Sequence, residues 1–139
     1  MSNPASSPPS PPGSTAAFSR CERPWGWFES LAQGDGYLVK RLRIHAGRRI
    51  SLQRHQHRCE HWVVVAGSGE LELEGEAMPA AIGTSLFVPQ GAWHRASAGP
   101  EDLLIVEVQR GARLSEDDIE RIADDYQRVA EGTSGEVLG

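Results

Sequence analysis

Apolar and polar residues alternate along most of the chain, in short runs separated by turn residues. "GYLVKRLRI" (residues 36–44) sets Leu38, Lys40, Leu42 and Ile44 on one face of a strand and Val39, Arg41 and Arg43 on the other. "AGRR" turns the chain. "ISLQRHQH" (50–57) alternates again and places Gln53, His55 and His57 on a single face. "HWVVVAG" is a β-rich run ended by the hairpin signal "GSG", and "ELELEG" follows in strict alternation. "AAIGTSLFVPQGAWHRAS" reads as strand, turn, strand, and "DLLIVEVQ" as a last apolar strand. Seven or eight strands spaced about ten residues apart predict an antiparallel sandwich or barrel. The period then changes. In "LSEDDIERIADDYQRVA" Ile119, Ile122, Tyr126 and Val129 fall at helical spacing. Ser115 with Asp118 fits a capping box, and Glu116, Asp117 and Asp118 suit a helix start. One amphipathic helix is predicted over 115–129, packed on the β-body.

The ends differ from this body. Residues 1–20 hold a Pro/Ser-rich stretch, "MSNPASSPPSPPGSTAAFS", that cannot bury enough apolar surface to offset its ordering entropy. It is expected to be a disordered tail. Residues 131–139, "GTSGEVLG" after Glu131, are small and polar and read as a flexible tail. One domain is therefore expected over 21–130, consistent with a chain of 139 residues.

Charge and cysteine content narrow the function classes. A net charge of −5 argues against nucleic-acid or anionic-membrane binding, since both need a basic footprint. Two cysteines, Cys21 and Cys59, make no disulfide framework, so a reduced cytoplasmic setting is expected. No apolar run approaches the length of a membrane span, and no signal core opens the chain.

Chemistry concentrates in "SLQRHQHRCEHW", which carries three of the five histidines. Imidazoles on alternate strand residues suit borderline divalent metals. A further ligand would come from Glu60 or His61 after a tight turn, and from His94 on a later strand. A solvated strand face is the plain alternative. His45 stands apart and reads as a surface residue. Trp25, Trp27 and Phe28 read as a plug on the barrel rather than a sugar-stacking platform. Cys59 reads as a small packed residue rather than a soft ligand.

These residues carry a resemblance. Gly83, Pro89, Gly91 and His94 match the spacing G-x5-P-x-G-x2-H, one of the two motifs of the cupin superfamily. His55, His57, Glu60 and Gly67 match the other. Only two residues separate His57 from Glu60, fewer than the motif usually has. Counting back from Gly67 makes Glu60 the ligand and counting forward from His57 makes it His61; the spacing to the glycine favours Glu60. Ala98 stands where the second motif usually has asparagine. Together with "RPWGWFE", "VPQGAWHR" and "EDDIERIADDYQR", the "HRCEHW" run resembles the cupin domain of type II phosphomannose isomerases. That domain is the C-terminal part of bifunctional mannose-1-phosphate guanylyltransferase/mannose-6-phosphate isomerases. The likeness runs from Arg23 to Arg128, with Ser115 and Gln127 departing from the usual residues.

The resemblance implies an all-β cupin, a double-stranded β-helix or jelly-roll barrel, with one C-terminal α-helix. It implies a divalent metal ion (Zn, or Mn, Fe, Ni or Co) on His55, His57, Glu60 and His94, with Gln53 a substitute ligand. It implies interconversion of aldose and ketose sugar phosphates. Arg58 and Arg95 would clamp the phosphate, with Lys40 pointing inward, and Glu107 or His61 would shuttle the proton. Glu107, amid apolar residues, is expected to be desolvated and raised in pKa; pairing with a buried arginine is its structural alternative. No Gly-rich nucleotide-phosphate loop occurs in the sequence, so guanylyl transfer is not expected of these residues. The rivals are a non-catalytic cupin that binds a sugar or anion, and another metal-dependent cupin enzyme such as a dioxygenase. The partner would be a small sugar phosphate, and a homodimer is plausible by analogy.

Overall fold

The computed structural model describes residues 19–126. Eleven strands occur among them: β1 (Arg20–Arg23), β2 (Gly26–Gly34), β3 (Tyr37–Ile44), β4 (Leu52–Arg54), β5 (Cys59–Ala66), β6 (Gly69–Leu73), β7 (Glu76–Ala80), β8 (Ser85–Val88), β9 (His94–Ala98), β10 (Leu103–Arg110) and β11 (Glu120–Ala123). They form two antiparallel sheets. One has six strands in the order β1-β2-β3-β10-β5-β8, the other five in the order β11-β4-β9-β6-β7. The two sheets close on each other as a jelly-roll barrel, and the alternation read from the sequence supplies both inner faces.

The inner face of the six-stranded sheet is graded along its strands. At one end Ile44 pairs across with Leu103, and Leu42 with Ile105, which in turn faces Val64. All five are buried, and they join Ile50, Leu71 and Ala96 in the hydrophobic core. Further along the same strands Lys40 pairs with Glu107, Glu107 with Trp62, and Gln109 with Glu60. These residues are equally buried, so one end of the barrel interior is apolar and the other is polar.

Two motif glycines have backbone reasons. Gly67 follows β5 with φ of 83°, and a Cβ there would lie 1.9 Å from the Asp102 carbonyl oxygen. Gly91 also has positive φ, and its N–H donates to the His55 carbonyl at 2.8 Å, which ties the turn before β9 to the end of β4.

The expected C-terminal helix is not what residues 115–126 form. Asp117 and Asp118 do donate their N–H groups to Ser115, so the capping signal makes one turn. The chain then extends, and Glu120–Ala123 pair with the open edge of β4. Tertiary partners win over the helical period. The Asp118 carboxylate accepts the N–H groups of Gln56 and His57, and Arg95 donates to the Ala123 carbonyl. The disordered tail expected over 1–20 is corrected at its end, where Arg20 opens β1 opposite Glu29 and ion-pairs with it. Residues 1–18, 127–129 of the expected helix and the expected tail from 131 lie outside the described residues. No helix among the described residues is long and apolar enough to cross a membrane.

Candidate metal centre

At the polar end three side chains converge. His55 leaves the end of β4, Glu60 points inward from β5, and His94 opens β9 beside Gln53 of β4. One ligand atom from each lies within 4.8 Å of the others, and all three residues are buried.

Hydrogen bonding fixes which atoms face the centre. His55 Nδ1 lies 2.7 Å from the Asp118 carbonyl oxygen, and His94 Nδ1 lies 2.9 Å from that of Ala92. A carbonyl oxygen only accepts, so both Nδ1 atoms carry the proton and both Nε2 atoms present a lone pair. His55 Nε2 is 3.2 Å from Glu60 Oε2, and His94 Nε2 is 3.6 Å from Glu60 Oε1. His94 Nε2 is fully buried and has no hydrogen-bond partner. Two imine nitrogens and a carboxylate facing one another form an acceptor-only cluster, which a cation satisfies. The donor set therefore fits a divalent metal with three protein ligands and positions left open.

The electrostatics agree. Burial pushes the His55 imidazole down to about 4, against a partial pull upward from Glu60, so it is neutral at pH 7. Burial likewise lowers His94. For Glu60 burial works upward, but His55, His94 and Arg58 outweigh it and hold the carboxyl down at about 2. Neutral imidazoles beside an ionised carboxylate are the states a metal requires.

Arg58 is the cation that touches this cluster. Its Nε donates to Glu60 Oε2 at 2.9 Å, its Nη2 lies 3.3 Å from His55 Nε2, and its Nη1 donates to the Ser115 carbonyl at 3.1 Å. Trp62 Nε1 donates to Glu60 Oε1 at 3.0 Å and fixes the carboxylate from the other side. Next to the cluster lies a cavity of about 60 Å³, whose lining includes Trp25, Phe28, Lys40, Gln53, Arg58 and Glu107. Burial and the Glu60 charge push the Glu107 carboxyl up to about 8, against Lys40 and Arg58, while Gln109 Nε2 donates to its Oε2 at 2.7 Å. No arginine forms an ion pair with Glu107 among the described residues.

Several expected site residues sit elsewhere. His57 is exposed, 3.3 Å from an Arg113 nitrogen, because β4 ends at Arg54 and the chain bends where Asp118 holds the backbone of residues 56 and 57. Alternation no longer carries it to the face of Gln53. Arg95 does not line the cavity: it is buried on the opposite side of β9 from His94, bonded to the carbonyls of Ile50 and Ala123. His61 turns away from Glu60, against Phe87 and Arg110. Gln53 lines the cavity with its amide bonded to Ser51. Trp25 and Phe28 reach the cavity, whereas Trp27 lies outside under Arg20. Cys59 lies outside the three-residue group, and half-buried His45 sits near Asp102. Sequence reasoning passed over Trp62, Asp118 and Glu116. Trp62 shares the inward face of Glu60 by alternation, so its signal was available; the two acids read as a helix start.

A double-stranded β-helix with two histidines and a glutamate converging in its interior defines a cupin. Residues 13–124 match the family described as "Mannose-6-phosphate isomerase C-terminal". The chain belongs to that family. It is 43% identical over 108 residues to a mannose-1-phosphate guanylyltransferase of Escherichia coli, covering 77% of this chain and 23% of the relative. It is 39% identical over 130 residues to the alginate biosynthesis protein AlgA of Pseudomonas aeruginosa, covering 91% and 27%. The chain thus spans about a quarter of the length of these curated relatives. A Klebsiella pneumoniae protein with a double-stranded beta-helix domain shares the fold with a TM-score of 0.64 at 20% identity, over 81% of this chain and 96% of that one.

Proposed function

We propose that the chain is a metal-dependent isomerase of the mannose-6-phosphate type, acting in polysaccharide precursor synthesis. The observation that carries this reading is the buried, unpartnered His94 Nε2 facing Glu60 and His55, beside a cavity that also holds Lys40, Arg58 and Glu107. His55, Glu60 and His94 would hold the divalent metal, which when bound supplies Lewis-acid polarisation of the sugar's carbonyl and hydroxyl oxygens. Aldose–ketose exchange in the open-chain sugar moves one proton between C2 and C1 and a second between O2 and O1, through an enediol. Glu107, with a pKa of about 8, is suited to take the carbon-bound proton and return it to the neighbouring carbon. Lys40 and Arg58 would hold the phosphate, Arg58 by a forked contact. The apolar walls formed by Trp25, Phe28 and Ile50 keep bulk water from the enediol.

The test is conversion of mannose 6-phosphate to fructose 6-phosphate by purified protein supplied with Zn, Mn, Fe, Ni or Co in turn. Turnover that is lost in His94→Ala supports the reading. Metal binding without turnover for any of the five ions would leave a non-catalytic cupin instead.

A further inference from the structure

The cavity of about 60 Å³ has room for a few waters, since each needs roughly 10–15 Å³. Residues 111–119 border it on one side. This segment is not part of either sheet, and it contributes Glu116 and Ile119 to the cavity lining.

Glu116 is the unusual member. Its side chain is 55% exposed, yet its carboxylate reaches in to ion-pair with Lys40, whose side chain is only 6% exposed. Lys40 projects from the inner face of β3, and Glu116 is the one carboxylate in ion-pair contact with it among the described residues. Two more cations surround the pair. Lys40 Nζ lies 4.1 Å over the Phe28 ring and the Arg23 guanidinium 5.0 Å over the same ring. Arg58 donates to the carbonyl of Ser115, the residue before Glu116. Burial works to raise the Glu116 carboxyl, and Lys40, Arg58 and Arg23 together outweigh it and hold it down. Three cations thus face one carboxylate that comes from a surface segment.

We propose that Lys40, Arg23 and Arg58 form an oxyanion subsite for a phosphate monoester, and that Glu116 is its resident stand-in, displaced when the ligand's phosphate arrives. The inference rests on the sugar-phosphate reading and deepens it by placing the phosphate at the mouth, against β1 and β3, with the sugar directed inward toward His94. The Glu116 carboxylate holds the ion-pair place on Lys40 that a ligand's phosphate would take. A dianionic phosphate, with three acceptor oxygens, matches the three cations better than a carboxylate does. Adding Arg23 to the phosphate contacts, and removing Arg95, is a specific consequence.

A resident competitor reduces apparent affinity by the fraction of time the subsite is free. Calorimetric titration of metal-free protein with inorganic phosphate therefore tests the proposal. Glu116→Gln is expected to bind phosphate about 10-fold or more tighter than the wild type. Asp117→Asn makes the same charge change on an exposed neighbour and is expected to shift affinity less than about 2-fold, as screened surface charge does. Lys40→Met and Arg23→Gln should each weaken phosphate binding in the Glu116→Gln background. Equal gains in Glu116→Gln and Asp117→Asn would mean a net-charge effect only and would overturn the proposal. So would unchanged binding in the Lys40 and Arg23 variants. If Glu116→Gln does not fold, Glu116→Asp keeps the charge and shortens the reach. It should then give an intermediate gain, and no gain overturns the stand-in. The outcomes separate from those of the isomerase assay. Tight phosphate binding without turnover keeps the subsite and removes the isomerase, and turnover with equal phosphate affinity in all variants does the reverse.

Discussion

The two ends of the barrel interior are built from the same three strands and differ in everything else. Along β3, β10 and β5 the inward residues run from Ile44, Leu103 and Val64 at one end to Lys40, Glu107, Gln109 and Glu60 at the other. The apolar end is held by close packing, which tolerates loss of a side chain at the cost of a cavity. The polar end is held by pairing: Glu60 alone takes donors from Arg58 and Trp62 and faces both histidines. Packing can fail in part, whereas a buried charge network fails as a unit when one partner goes. Apolar packing and the candidate metal cluster are therefore separated along the strands rather than between strands.

That division can be broken most severely at Glu60. Glu60→Ala leaves Arg58 buried without its carboxylate and is expected to cost about 3–5 kcal/mol in urea unfolding. It should also abolish metal binding by elemental analysis. At the other end, Leu103→Ala is expected to cost about 3 kcal/mol. The folded fraction of this variant should bind as much metal as the wild type; lost metal would show that the two ends are not separable. A smaller effect sharpens the contrast through pH. Glu107 has its pKa raised to about 8 from 4.5, so the native state holds a proton that the unfolded chain has released between those values. Its contribution is fully present below about 4.5 and lost as pH rises to about 8, at up to about 1.4 kcal/mol per pH unit. Glu107→Gln should flatten the stability profile over that window, measured on metal-free protein, while Leu103→Ala shifts the profile without changing its slope. The smallest effects belong outside the barrel. His57→Ala and His61→Ala are expected within about 0.5 kcal/mol of the wild type. Both should retain full metal content, in contrast with His55→Ala and His94→Ala.

What could be read from the residues follows from how local the cause is. The alternation of β3, β5 and β10 needs only period-2 geometry, so Lys40 and Glu107 were legible as inward-facing. The turn Pro89–Gly91 before His94 is set by a backbone angle, and it too was legible. Of Glu60 and His61, it is Glu60 that register turns inward: it sits opposite Gln109 and Val88 on the inner side of its sheet. His57 was misplaced because the strand carrying it stops three residues earlier, and the stop is imposed by Asp118 from across the chain. The helix was misjudged for the same reason seen from the other side. Ser115 starts a turn, but the edge of β4 needs a partner, and residues 120–123 supply it. Arg95 adjoins His94 in sequence, and alternation sends it to the far face. In each case a long-range contact overrode a local pattern.

The hydrogen bond from His55 to the Asp118 carbonyl spans 63 residues. The ring that faces Glu60 and His94 is therefore oriented only when nearly all of the domain has been laid down and β11 has closed on β4. Until then the His55 ring lacks the hydrogen bond that fixes its Nδ1. A metal held by His55, Glu60 and His94 would then report completed folding, and a ribosome-bound chain that has not released residue 118 is expected not to compete for the ion.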